Sequence, residues 1–249
     1  MLYVPFAVGL LAASSISLSA MFLLVSVSFV FIARESLLAW WRSRTRAQQD
    51  IEALRYLAGY LLMGGTFAIP LFVVWGLYWL ALFAAGAGLL LGFNMAQASR
   101  RDDRTATGEI LAIIGLTMTA PAAYYVARGA LELTALWLWV LCAMYFASSV
   151  FYVKLRVNTL NPRKEQARRQ WWRRCAVYHV SLLAFLMAMG LGGSVSLLVV
   201  VAFLPALARS FWHLTRPVSR INLRLVGWLE IIYSVVFLVF MTLTFRFGH

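Results

Sequence analysis

Six stretches of this chain contain no Asp, Glu, Lys or Arg: residues 2–33, 56–99, 110–127, 133–153, 175–208 and 231–245. A helix needs roughly 20 apolar residues, at about 1.5 Å each, to cross the hydrocarbon core of a bilayer. The longest runs must therefore hold two crossings apiece. Soluble domains carry about 45–50% apolar and about 25% charged residues; this chain of 249 residues has 63% and 12%. Lipid has to cover what water cannot. A barrel would need short strands alternating apolar and polar residues, and continuous apolar runs exclude it. The expectation is an all-α, polytopic transmembrane bundle forming a single domain over residues 1–249.

The pattern predicts nine helices, at about 2–13, 16–33, 55–74, 77–96, 108–127, 133–153, 175–192, 194–211 and 226–245. The breaks between close neighbours carry turn residues: SSIS at 14–17, PLFVVWG at 70–76 and GLGGS at 190–194. The first segment is too short to span, so it is either truncated or a half-helix. It has no basic lead-in and no small-residue cleavage site, unlike a signal peptide. Pro121 and Pro205 are expected to interrupt the fifth and eighth helices, since proline frees a carbonyl and bends a helix.

The basic residues orient this map. Of the 22 Lys and Arg, all but Arg128 and Arg246 fall on alternate loops, those after the second, fourth, sixth and eighth helices. Cytoplasmic loops carry the excess of Lys and Arg, which places the N-terminus inside and the C-terminus outside, in a bacterial inner membrane. The same rule accounts for the net charge of +13 and the pI of about 10.6 without nucleic acid as a partner. The partners expected are the bilayer and its anionic headgroups. In particular, NPRKEQARRQWWRR (161–174) reads as an amphipathic segment on the membrane surface, drawn to anionic lipid. Cys142 and Cys175 lack metal spacing and are not expected to pair. His179, His213 and His249 are scattered, so no metal and no cofactor is expected.

Candidate functional residues gather at the predicted cytoplasmic helix ends. Arg34, Lys154, Arg156 and Arg209 each sit within about a turn of an apolar run, and Tyr152 suits headgroup depth. They serve either as topology anchors that snorkel to the surface, or as one convergent set holding a phosphate, diphosphate or carboxylate through charge-assisted hydrogen bonds. Glu230, in LVGWLEIIYS, lies about five residues inside an apolar helix, where an ionised carboxylate is costly. It is a site residue or the structural partner of a cation such as Arg209 or Arg224. Glu109 opens the fifth helix, where the helix dipole favours an acid. Glu35 neighbours Arg34, and His179 is a satisfied hydrogen-bonding residue or a proton carrier. There is no Walker loop, GxSxG or HExxH, and no histidine pair for haem.

Several stretches together resemble the YwiC-like family of bacterial integral membrane proteins: VPFAVGL, ARESLLAW (33–40), GEILAIIGLTMTAPAAYYVARG (108–129), SSVFYVKLR (148–156), AVYH ending at His179, AFLPALARSFWHLTRP (202–217) and GWLEIIYSVVF (227–237). Members of that family usually carry Glu-His-Gly-Ala-Trp just before the equivalent of VPFAVGL. Here Met1 stands in its way, so either the native start lies upstream or that element is missing. The resemblance implies a multi-pass membrane protein and brings no reaction with it.

The architecture is also similar to that of the UbiA-type intramembrane prenyltransferases, which bind Mg²⁺–diphosphate through Asp-rich motifs after their second and sixth helices. The matching loops here offer Glu35, Asp50 and Glu52 without the spacing, and Glu165 alone. Arginines would have to take the anionic head without a metal. The leading functional expectation is a cytoplasm-facing basic pocket for an anionic or amphipathic ligand, formed by Arg34, Glu35, Glu109, Tyr152, Lys154, Arg156, His179, Arg209 and Glu230. UbiA-like binding or modification of a lipid or polyprenyl diphosphate is one version of it. The alternatives are a small-solute or ion transporter and a non-catalytic membrane partner or assembly factor.

Overall fold

A computed structural model of the protein describes residues 2–45, 51–99, 106–159, 165–193, 195–216 and 223–247. In chain order the helices are α1 (Tyr3–Ala12), α2 (Leu18–Thr45), α3 (Ile51–Val73), α4 (Leu80–Ser99), α5 (Ala106–Thr117), α6 (Thr119–Arg128), α7 (Leu133–Thr159), α8 (Glu165–Leu191), α9 (Leu198–Thr215) and α10 (Leu223–Phe247). No strand occurs among the described residues.

The fifth predicted helix is two, α5 and α6. Pro121 cannot donate to the carbonyl four residues before it and its ring crowds that group. That carbonyl belongs to Thr117, where α5 ends. The Thr119 hydroxyl donates to the Leu116 carbonyl at 2.9 Å and lies 3.2 Å from the Leu2 carbonyl, so the break is tied to the start of α1. Pro205, by contrast, lies inside α9 without interrupting it.

Three helices run well past their predicted bounds. α2 continues to Thr45 rather than stopping near 33, α7 continues to Thr159, and α8 begins at Glu165 rather than near 175. Uncharged runs mark where lipid is, whereas Arg, Lys, Glu and Gln are good helix formers in water as well. The Arg169–Glu165 pair at 3.0 Å supports the first turns of α8 in this way. Residues 165–174 thus continue α8 as one unbroken helix; residues 161–164 of the basic segment lie outside the described part.

Among the described residues, seven helical stretches are long and apolar enough to cross a membrane, with α5 and α6 together forming one, Thr107–Arg128. α1 and the apolar stretch Leu80–Ala96 of α4 are shorter. At 10 residues, α1 covers only about 15 Å. It lies against α6, α10 and α7. A Cβ on Gly9 would stand 2.1 Å from the Ala120 carbonyl oxygen, so only glycine permits this approach.

Two apolar clusters hold the bundle. One joins α7, α8, α9 and α10 through Leu138, Leu141, Tyr145, Leu182, Leu186, Phe203, Phe237 and Met241. The other gathers α1, α2, α6 and the α3–α4 turn around Phe6, Leu23, Leu71, Leu80 and Ala123. The remaining faces of α3, α4 and α10 are apolar and uncovered, as lipid-facing helices are. The protein is an all-helical, multi-pass membrane protein.

Candidate functional site

The polar residues of the C-terminal helices come together on one face of α7. Ser148, Ser149, Tyr152 and Arg156 recur there at three- and four-residue spacings, which stacks them along one side of the helix. Ser148 and Ser149 are buried, Tyr152 is 3% exposed and Arg156 half-buried.

Arg209 of α9 reaches this face from inside the membrane-spanning stretch, and its side chain is only 5% exposed. It forms an ion pair with Oε1 of Glu230 on α10. The guanidinium lies 4.0 Å from the centre of the Tyr152 ring and 5.2 Å from that of Tyr233. The other carboxylate oxygen of Glu230 accepts a hydrogen bond from the Ser149 hydroxyl at 2.8 Å. Three helices therefore contribute to one charged centre. The Nε of Arg209 is buried and has no hydrogen-bond partner among the described residues. Buried polar groups of this kind are seldom left unsatisfied.

His179 of α8 is fully buried on the neighbouring side of α7. Its Nδ1 lies 2.7 Å from the Cys175 carbonyl oxygen, which can only accept, so Nδ1 carries the proton. Nε2 is then the acceptor for the Ser148 hydroxyl at 2.9 Å. Both ring nitrogens are engaged, the arrangement of a histidine that locks two helices together. His213, one turn beyond Arg209, repeats the pattern, with Nδ1 donating to the Arg209 carbonyl at 2.8 Å. Its ring meets Tyr152 edge to face at 5.3 Å. Sequence scatter hid His213; its four-residue spacing from Arg209 was the available signal. Ser149 and Tyr233, which complete the centre, had no signal beyond their closeness to Tyr152 and Glu230.

The other candidates stand elsewhere. Lys154 projects from a different side of α7 and pairs with Glu109 on α5 at 2.7 Å. Arg34 pairs with its exposed neighbour Glu35 at 3.0 Å on α2. Tyr152, Arg209 and Glu230 thus make direct contact, with Arg156 and His179 on adjoining turns of the same four-helix group. Lys154 with Glu109, and Arg34 with Glu35, form two separate pairs.

Towards the C-terminal end of α10 the centre is closed by rings. Tyr145 stacks on Phe237 with centroids 3.9 Å apart, and Phe203 meets both edge-on at 5.8 and 5.4 Å. Beyond them Leu138, Leu141 and Met241 are fully buried. A groove of about 290 Å³ lies between α1 and α2, lined by Tyr3, Leu24, Val25, Ser28, Phe29 and Ile32; none of the charged residues lines it. Among the described residues no group of three or more His, Cys, Asp or Glu is placed to hold a metal ion. Cys142 and Cys175 are both buried and free.

No curated protein and no solved structure matches the chain. The model of the YwiC-like protein family matches residues 1–124. That range covers α1 to most of α6 and includes Arg34, Glu35 and Glu109, whereas the Arg209–Glu230 centre lies beyond it. Through its N-terminal half, residues 1–124, the chain is a member of the YwiC-like family.

Proposed function

We propose that this multi-pass protein binds the anionic head of an amphipathic ligand at the Tyr152–Arg209–Glu230 centre. The basic helix ends face the cytoplasm of a bacterial inner membrane. The observation that carries the reading is Arg209: a guanidinium inside a membrane span, held by Glu230 and two tyrosine rings, with a buried Nε left to donate. Ionised groups at such depth are costly and serve functional sites more often than architecture. Arg156 on the adjoining turn adds a second planar guanidinium, suited to phosphate or carboxylate. The ligand head competes with Glu230 for Arg209, and Glu230 and Ser149 can receive or return a proton. The aromatic closure beneath the centre favours a binder or lipid-modifying enzyme over a transporter, because a conduction path would need polar groups continuing beyond Tyr145 and Phe237.

The test is mass spectrometry of lipids retained through purification, compared between the wild type and Arg156→Ala. The reading predicts one anionic amphiphile enriched over bulk phospholipid and lost in the variant. Bulk phospholipid alone, unchanged in Arg156→Ala, refutes it and leaves the non-catalytic partner role.

A further inference from the structure

We propose that the ends of α8 and α9 form a separate binding site for the headgroup of an anionic phospholipid, built from two arginine–tryptophan stacks. α8 is one helix of 27 residues, about 40 Å long against a hydrocarbon core of about 30 Å. Its apolar run begins at Cys175, so residues 165–174 stand out of the hydrocarbon. Arg174 lies over the ring of Trp171 at 5.0 Å, and Arg216 lies over the ring of Trp212 at 4.0 Å.

The two stacks belong to different helices, which are tied together beside them: Trp172 Nε1 donates to the Leu214 carbonyl at 3.0 Å. Leu214 is two residues from both Trp212 and Arg216. Trp172 and Trp212 are themselves about half exposed, at 48% and 55%. Tryptophan prefers headgroup depth, which sets the level of both stacks. A guanidinium resting on an indole keeps its N–H edge free for a phosphate oxygen, and its orientation is already fixed. The ligand chemistry is a phosphodiester carrying a net negative charge on a lipid. The depth set by the tryptophans selects the lipid over free phosphate. This site shares no residue with the Arg209 centre and does not depend on the reading given above.

The experiment uses the full chain in detergent, with native mass spectrometry of adducts formed with phosphatidylglycerol or with phosphatidylcholine of the same acyl chains. Inorganic phosphate is the competitor. The proposal predicts preferential phosphatidylglycerol adducts that millimolar phosphate does not displace. Arg174→Gln combined with Arg216→Gln should weaken them roughly thirtyfold, from the usual worth of a basic side chain near an anionic surface. The control, Arg168→Gln with Arg169→Gln, removes the same charge about a Debye length away and should weaken binding by less than about threefold. Equal loss in the control would reduce the effect to diffuse charge and overturn the site. Equal binding of phosphatidylcholine, or displacement by phosphate, would overturn it too. All four arginines are exposed, so the variants keep the fold.

Discussion

Glu230→Gln keeps the shape of the side chain and removes its charge, leaving Arg209 as a cation with 5% side-chain exposure and no counter-ion. Breaking a buried pair by removing one partner costs about 3–5 kcal/mol. The Tyr152 ring at 4.0 Å still faces the guanidinium and offsets up to about 2 kcal/mol where water is excluded, but it does so in the wild type too. The Ser149 hydroxyl can still donate to the amide oxygen. The net loss should therefore sit at the low end, near 3 kcal/mol. At about 2–4 °C per kcal/mol for a chain of this size, the melting midpoint should fall by roughly 6–12 °C. Arg209→Met leaves Glu230 in the same position, with a comparable fall. The double variant Arg209→Met/Glu230→Met replaces the pair with apolar volume and should lie close to the wild type. Cys142 and Cys175, free and fully buried, supply the assay: a thiol-reactive fluorophore reports unfolding in one detergent at one scan rate. Singles that add to the double, with coupling under about 0.5 kcal/mol, would show that the pair is not energetically joined.

Other perturbations test the packing around this centre. Gly9→Ala puts a Cβ 2.1 Å from the Ala120 carbonyl oxygen, a backbone atom that cannot swing aside; separating α1 from α6 should cost about 1–3 kcal/mol, read as a lower midpoint in the same thiol assay. Phe237→Ala removes a fully buried ring stacked on Tyr145 at 3.9 Å and should cost about 3–5 kcal/mol, with the Cys142 thiol becoming reactive at lower temperature. Lys154→Gln breaks its pair with Glu109, whose side chain is 37% exposed; a loss under about 1 kcal/mol is expected, and a fall as large as that of Glu230→Gln would place this pair in the buried class.

The uncharged stretches made the membrane setting and all but one of the helices legible, because a continuous apolar run satisfies its backbone in lipid only as a helix. Helix ends were not legible in the same way. Arg42 and Arg168 mark where lipid ends, while the hydrogen-bond ladders of α2 and α8 pass through them undisturbed. Pro121 signalled a break because a missing donor is a local fact of sequence; how α1 packs against that break is a long-range one. For the site, depth picked out Glu230, since an ionised residue inside an apolar run needs a partner wherever it lies, and Arg209 was one of the two cations within reach. Helix rotation decided the rest. Tyr152 and Arg156 are one turn apart and share a face, whereas Lys154, two residues from each, is turned away to Glu109. Arg34, like Lys154, closes an uncharged run, yet its helix packs chiefly against α3. His213 was invisible because nothing but its spacing from Arg209 distinguished it.

Photo-crosslinking with an anionic amphiphile bearing a diazirine beside its headgroup tests the central claim most directly. Peptide mapping of the labelled, membrane-embedded protein should place the adducts on the Ser148–Arg156 stretch of α7 and the Glu230–Tyr233 turn of α10, with labelling lost in Arg156→Ala. Adducts spread evenly over the lipid-facing helices, or confined to α3 and α4 and indifferent to Arg156, would contradict it.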